Sequence, residues 1–171
     1  MADKRSEAAS LDALAGKLML VAAIVFSIAF ATILLAHIFE RYGGYAPCPL
    51  CLQERYAYYV AVPVSILAFF TARAEAIGWT RILLLLIAVA FLINAGLGVY
   101  HSGIEWKWWP GPASCAGDVP IEWGEGGPVA GQLISCDEAP WRFLLLSFAG
   151  WNAVISVALA GIAAYGASLR R

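Results

Sequence analysis

The sequence predicts an all-α integral membrane protein, a four-helix bundle with two extracytoplasmic loops and both termini in the cytoplasm. Hydrophobic residues make up 61% of the 171 residues and charged residues only 13%. Soluble domains are about 45–50% apolar and about 25% charged, so a chain of this composition is better suited to lipid than to water. Four long apolar stretches and an uneven distribution of Lys and Arg supply the helix count and the orientation.

The four apolar stretches predict helices at 18–39, 56–72, 80–100 and 143–167. A membrane-spanning helix needs roughly 17–25 predominantly apolar residues, and none of the stretches alternates as a barrel strand does. The stretches leave two loops on one side of the membrane, at 40–55 and 101–142. We therefore expect residues 1–171 to form one membrane domain without a separate soluble domain.

The first stretch has an alternative interpretation as a cleaved signal peptide, because Lys4, Arg5 and Lys17 precede it. Its apolar run exceeds the roughly 7–15 residues of a signal peptide. No clear small-residue cleavage site precedes Glu40 and Arg41. We therefore expect this stretch to remain as a membrane anchor.

The distribution of basic residues predicts the orientation. With four helices, both termini and the short loop between the second and third helices share one side, which carries seven of the eleven Lys and Arg residues. Eight of the twelve acidic residues fall on the other side. Lys and Arg concentrate on the cytoplasmic side of membrane proteins, so the loops 40–55 and 101–142 are predicted to face outward. No basic field suggests a nucleic-acid partner.

Small and polar residues in the third stretch predict where helices pack closely. Asn94, Gly96 and Gly98 lie within this otherwise apolar segment. Small residues let helix backbones approach each other in membranes, and amide side chains form hydrogen bonds between helices. We therefore interpret these three residues as packing positions.

All four cysteines fall in the outward loops, where disulfides form and persist. Cys48 and Cys51 form a C-x-x-C motif, and Cys115 and Cys136 form a second pair. As structural disulfides, the second pair would stabilise its loop by about 3 kcal/mol, whereas the first would close almost no chain. Four thiolates around zinc would usually come from two C-x-x-C motifs, which the split second pair does not provide. The third interpretation, a pair that cycles between dithiol and disulfide, suits both spacing and compartment.

Arg55 strengthens the redox interpretation. It follows Cys51 by one helical turn, so its guanidinium is expected to approach the Cys51 sulfur. A helix N-terminus near Cys51 would also favour an anion. The alternative is that Arg55 is an ordinary interfacial residue. The same alternative applies to His101 and His37, either of which is able to hydrogen-bond a small polar head group such as a quinone carbonyl.

Two segments resemble the DsbB family, the quinone-dependent disulfide-generating enzymes of bacterial inner membranes. The segment CPLCLQER at 48–55 is similar to the family's C-x-x-C-x-x-E-R motif. The segment YHSGIEWKWWPGPASC at 100–115 is similar to its histidine-containing helix end and the Pro-rich run into the third cysteine. Cys136 matches the fourth cysteine, and the order of helices agrees, so the resemblance covers essentially the whole chain.

The resemblance implies an electron relay. A periplasmic DsbA-type oxidase with a thioredoxin fold, once reduced, would attack the Cys115–Cys136 disulfide and form a mixed disulfide with Cys115. Cys136 would then exchange with Cys48 and release Cys51 as a thiolate.

The same resemblance implies the electron acceptor, a ubiquinone or menaquinone of the membrane quinone pool. Arg55 would hold both the Cys51 thiolate and a quinone oxygen, and His101 would be a second quinone contact. The implied setting is a multi-pass protein of the bacterial inner membrane, within the lipid bilayer, whose active loops face the periplasm. No metal ion is implied.

Two departures from the family and two alternatives stay open. The loop between Cys115 and Cys136 is short and rich in glycine, and the residue after Cys48 is Pro49. A vitamin K epoxide reductase-like protein would do related chemistry, but there the loop cysteines precede the C-x-x-C motif. The non-enzymatic alternative is a membrane scaffold or channel held by two structural disulfides.

Overall fold

The computed structural model describes residues 2–115 and 135–170, with side chains from residue 5 onward. The middle of the second loop with its five glycines, the side chain of Lys4, and Arg171 lie outside the described residues. Four long helices dominate the fold: α1 (Ala2–Gly43), α2 (Pro49–Arg73), α3 (Ile77–Glu105) and α4 (Phe148–Ser168). Each is long and apolar enough to cross a membrane, which confirms the predicted four-helix membrane fold.

Three helices reach further into the predicted loops than the apolar pattern indicated. Helix α1 covers Ala2–Gly43, whereas the sequence predicted 18–39. Helix α2 begins at Pro49, not at residue 56, because proline suits the first helical position and Cys48 caps the helix. Cys51 and Arg55 are consequently helical. Helix α3 continues to Glu105, so His101 lies in its last turns. Hydropathy placed the start of α2 too late and the end of α3 too early, because the outer turns of both helices carry polar residues.

Helix α4 begins five residues later than predicted because a hairpin precedes it. Strands β1 (Arg142–Phe143) and β2 (Leu146–Ser147) pair antiparallel across a two-residue turn. Leu144 and Leu145 form this turn with positive φ angles of 49° and 69°. A type I′ turn requires positive φ at both central positions and favours Asn and Gly there, so two leucines gave no signal of it.

The helices form a ring in which α1 packs on α2, α2 on α3, α3 on α4 and α4 on α1. Small residues line these contacts, and the fully buried alanines include Ala22, Ala29, Ala68, Ala72 and Ala163. Larger side chains such as Leu92, Ile93 and Phe70 are exposed on the outer surface. Larger side chains such as Leu18, Leu84 and Phe91 are also fully buried. Alanines at helix contacts are typical of bundles in lipid, where close backbone approach drives helix association.

The packing positions predicted in α3 are confirmed in part. The Asn94 side chain donates hydrogen bonds to Asn152 and Ser156 of α4, each at 3.0 Å. A methyl group at Gly98 would lie 3.0 Å from the backbone nitrogen of Ala153, so α3 and α4 approach closely there. Gly96 was wrongly assigned to packing, because no atom lies within 4 Å of a side chain built at it.

A short 3-10 turn, Ala113–Cys115, follows α3 and brings Cys115 to the N-terminal end of α2. Ser147 caps α4 by accepting a hydrogen bond from the backbone N–H of Gly150 at 3.2 Å. The Ser147 hydroxyl also donates to Glu105. These contacts join the end of α3, the start of α4 and the second loop, so both cysteine pairs lie at one end of the bundle.

Candidate redox site

Cys48 is the N-cap of helix α2. Its backbone is extended, with φ −75° and ψ 166°, and its Sγ accepts a hydrogen bond from the Cys51 N–H at 3.2 Å. Free N–H groups at a helix N-terminus and the helix dipole both stabilise a negative charge there. Cys51 lies in the first turn of the helix, as expected, but the sulfur that accepts from the helix N-terminus is that of Cys48.

The short pair is a dithiol in this structure. The two sulfur atoms lie 2.9 Å apart, Cys48 is buried, and Cys51 is half-buried. The hydrogen bond from the Cys51 thiol lowers the pKa of Cys48, the backbone N–H groups of Cys51 and Leu50 act in the same direction, and burial and the charge of Glu54 oppose them. Cys48 is therefore the cysteine of this pair that ionises more readily in the dithiol state.

Arg55 has a different partner from the one the sequence predicted. Its Nη1 lies 2.6 Å from Oε2 of Glu40, at the outer end of α1. Within the described part of the chain, no hydrogen bond joins Arg55 to Cys51. A carboxylate competes well for a guanidinium because both groups are charged. Arg55 is thereby fixed between α1 and α2, on the wall of the cavity that also contains Cys51.

His101 contacts the short pair directly. Its Nε2 lies 3.5 Å from the Cys48 sulfur, and its Nδ1 lies 2.9 Å from Oε1 of Glu54. Glu54 lies in the C-x-x-C-x-x-E-R segment, but the sequence analysis gave it no role. Its position in the sequence could have indicated one, since an ionisable residue within a membrane span is rare unless it has a function.

Cys115 and Cys136 form a disulfide in this structure. The ends of their loop are held by Ser135, whose hydroxyl donates to the Cys115 carbonyl at 3.1 Å, and by an ion pair between Lys107 and Asp137. Lys107 and Ser135 donate hydrogen bonds to the exposed Asp137 carboxylate, which lowers its pKa. The long pair is thus anchored at its ends beside α3.

The two cysteine pairs approach each other through one sulfur atom of each pair. The sulfur of Cys136, the sulfur of Cys48 and a ring nitrogen of His101 all lie within 4.8 Å of one another. Three such atoms are also a common metal-binding set, but the Cys136 sulfur is already bonded to Cys115. In this structure the disulfide occupies two of the four cysteine sulfur atoms.

A partly open cavity of about 430 Å³ adjoins the short pair. Its lining is largely apolar and aromatic and includes Phe39, Trp141 and Phe148. Its wall also carries polar side chains, among them Cys48, Cys51, Glu54, Arg55 and His101. His37 is not among the lining residues that the structure describes; its Nε2 instead lies 3.0 Å from the hydroxyl of Tyr59. The site thus combines thiols, a cation and an imidazole with an apolar pocket.

Comparison with known proteins agrees with this chemistry. The family model described as disulfide bond formation protein DsbB matches residues 18–166. The chain is 32% identical to Disulfide bond formation protein B of Marinobacter nauticus over 135 residues, which cover 77% of this chain and 80% of that protein. It is 29% identical to the protein of the same name from a Polaromonas species over 134 residues, which cover 68% and 71%.

An uncharacterized protein of Rickettsia prowazekii is also similar, with 25% identity over 142 residues that cover 80% of each chain. No solved structure gives a significant match.

Proposed function

Because this chain belongs to the DsbB family of disulfide-generating membrane oxidoreductases, we propose that it is a protein-thiol:quinone oxidoreductase that reoxidises a periplasmic DsbA-type oxidase. In this proposal the protein resides in the bacterial inner membrane, and its two cysteine-bearing loops face the periplasm. The excess of Lys and Arg on the side of the termini supports that orientation. The observation that carries the relay is the proximity of the Cys48 and Cys136 sulfur atoms, within 4.8 Å.

The relay begins at the long pair. A thiolate of the reduced partner attacks Cys115, the Cys115–Cys136 bond breaks, and the electron pair leaves on Cys136. The Cys136 thiolate then attacks Cys48 of the oxidised short pair. The Cys48–Cys136 bond forms, the Cys48–Cys51 bond breaks, and Cys51 leaves as a thiolate. Each exchange forms one disulfide and breaks another. The two electrons therefore pass from the partner through the long pair to Cys51.

The cavity beside Cys51 fits a quinone. Quinone rings need an apolar slot with a few placed polar groups, and the aromatic lining with Arg55 and His101 provides both. A bound ubiquinone or menaquinone supplies the capacity to take up two electrons and two protons. Arg55 stabilises negative charge at the slot, and His101 provides a second polar contact on the same wall.

The non-enzymatic alternative is a scaffold or channel held by two structural disulfides. Against it stand two features of the site: the short pair lies on the wall of the cavity, and the Cys48 sulfur lies 3.5 Å from His101 Nε2. A purely structural role accounts for neither feature.

The test is quinone reduction by the purified full-length protein in detergent, with a reduced DsbA-type partner and either quinone. Quinone absorbance should fall with the wild type and stay constant with Cys51→Ser and with Cys115→Ser. One variant removes the cysteine nearest the acceptor and the other removes the cysteine nearest the partner. Loss of activity in both therefore places both pairs on the relay.

Tyr165→Phe is the control, because Tyr165 lies outside the described lining of the cavity and 63% of its surface is exposed. Its rate should equal that of the wild type. If the folded wild type reduces neither quinone with any reduced partner, the proposal is wrong.

A further inference from the structure

Glu54 is a buried carboxyl group that the relay described above does not use. It lies in the membrane-spanning helix α2 with only 6% of its surface exposed, and its partner His101 is 2% exposed. Burying an ionisable group is costly unless it is paired and hydrogen-bonded. A neutral residue of similar size would avoid that cost, so the carboxyl group at this position needs a chemical reason.

The two ring nitrogens of His101 face different groups. With Glu54 ionised, its carboxylate only accepts, so His101 Nδ1 donates to Glu54 Oε1 across the 2.9 Å that separate them. In the neutral imidazole, Nε2 is then the acceptor. That nitrogen lies 3.5 Å from the Cys48 sulfur, within reach of the thiol proton.

Other charged and titratable groups surround this arrangement but have different partners. Glu105, one turn beyond His101 in α3, accepts a hydrogen bond from Ser147 and is near the charge of Arg142. Arg55 is paired with Glu40. The remaining neighbours are the Cys51 thiol and the Cys136 sulfur. Within the described residues, Glu54 is the carboxyl group that contacts the imidazole of His101.

We infer that His101 is the proton acceptor for thiol–disulfide exchange at Cys48 and that Glu54 is the positioning residue that holds its imidazole for this task. This inference rests on the proposed function and assigns the proton of that chemistry. The relevant atoms are in contact or adjacent: the Glu54 carboxylate, the His101 ring, the Cys48 sulfur and the Cys136 sulfur.

The step balances without any external oxidant. The Cys48 thiol gives its proton to His101 Nε2, and the resulting thiolate attacks the Cys136 sulfur. The Cys48–Cys136 bond forms, the Cys115–Cys136 bond breaks, and the electron pair leaves on Cys115. One disulfide is present before and after, and the thiolate charge on Cys115 is balanced by the imidazolium. The relay runs this step in reverse. Once the second thiol of the partner has released Cys115, the Cys115 thiolate attacks Cys136, the Cys48–Cys136 bond breaks, and the imidazolium gives its proton to Cys48 as that sulfur leaves.

A purely structural pair between Glu54 and His101 would leave the acidity of Cys48 unchanged, so the test measures that acidity directly. In a background with Cys115→Ser and Cys136→Ser, only the short pair reacts. We would reduce this full-length protein in detergent, without quinone or partner, and follow iodoacetamide alkylation of Cys48 by mass spectrometry across pH. Glu54→Gln and His101→Phe should each slow alkylation about tenfold or more near pH 7.

Three controls make the result specific. Above about pH 10, where ordinary thiols are ionised, all variants should react at the parent rate, which shows that the fold and access to Cys48 are intact. Glu54→Asp keeps the charge and should recover part of the rate near pH 7. Glu105→Gln removes a neighbouring carboxyl group with another partner and should stay within about twofold of the parent.

A loss of rate that persists at high pH, or an equal loss with Glu105→Gln, would overturn the inference. An unchanged pH profile in Glu54→Gln would do the same. Because the assay contains neither quinone nor partner protein, its outcome is independent of the quinone-reduction test. A failure of the proton-transfer inference is therefore distinguishable from a failure of the proposed function.

Discussion

The two cysteine pairs differ in how the protein holds them. The short pair is built into the first turn of α2, where backbone N–H groups, Glu54 and His101 surround Cys48 in a buried setting. The long pair is held at the ends of a loop by contacts that are partly exposed, such as the ion pair between Lys107 and Asp137. Buried contacts fix positions firmly, whereas exposed ion pairs contribute little. Both cysteines of the long pair are buried, with Cys115 6% and Cys136 1% exposed, so the pairs differ in what holds them and not in burial. The short pair is held by helix α2 and its hydrogen bonds, whereas the ion pair that anchors the long pair is open to solvent.

The largest predicted effect is a change of disulfide pairing in Cys51→Ser. With Cys51 absent, Cys48 keeps its neighbour Cys136, whose sulfur lies within 4.8 Å. We expect oxidised Cys51→Ser to contain a Cys48–Cys136 disulfide and a free Cys115 thiol in nearly every molecule. Peptide mapping by mass spectrometry under denaturing, thiol-blocking conditions measures this directly.

The matched control for that experiment is Cys48→Ser. It removes the member of the short pair that lies next to Cys136, so Cys115–Cys136 should remain intact and Cys51 should be the free thiol. If Cys51→Ser also retains Cys115–Cys136, the two pairs do not communicate through Cys48 and Cys136, and the relay loses its central step.

The second largest effect is expected on quinone binding when Arg55, on the wall of the cavity, is replaced. Arg55→Ala should raise the KM for quinone about 10- to 100-fold, because a hydrogen bond to a charged group is worth about 1.5–3 kcal/mol. Steady-state kinetics at saturating reduced partner would measure it. The disulfide pairing of Cys51→Ser should be unaffected by the same substitution, since Arg55 is paired with Glu40 and not with a cysteine.

Glu40→Gln separates binding of quinone from a structural role of Arg55. It removes the carboxylate that pairs with the guanidinium and leaves Arg55 available to bind quinone in the cavity. The KM for quinone should then stay the same or fall. A rise in KM equal to that of Arg55→Ala would show that the ion pair between α1 and α2, and not the guanidinium itself, supports the site.

The sequence predicted the four-helix fold and singled out the cysteines, Arg55 and His101, but it predicted neither their contacts nor a role for Glu54. Apolar stretches of spanning length predict helices because lipid leaves the backbone few alternatives. The ends of α2 and α3 were misplaced because their outer turns are polar and face the site. The role of Glu54 was missed because a sequence motif does not show which residue of another helix its side chain contacts. The pairing of Arg55 with Glu40 depends on how α1 and α2 pack, and no local spacing encodes that.

The smallest effect is expected at the exposed anchor of the long pair. Lys107→Ala removes the cation that pairs with Asp137, next to Cys136. Lys107 and Ser135 hold the Asp137 pKa below its ordinary value, so the contribution of this carboxylate is complete above the ordinary pKa and is lost as the pH falls through the lowered one. Both side chains are largely exposed, and solvent screens the pair.

We therefore expect Lys107→Ala, added to Cys51→Ser, to slow formation of the Cys48–Cys136 disulfide by about fivefold or less near neutral pH. Timed thiol blocking with peptide mapping would give this rate. Lys107→Arg keeps the charge and should react as the parent does. A loss of a hundredfold or more, on the order of a buried contact, would mean that the loop positions Cys136 as rigidly as α2 positions Cys48. The contrast between a fixed short pair and a loosely held long pair would then be wrong.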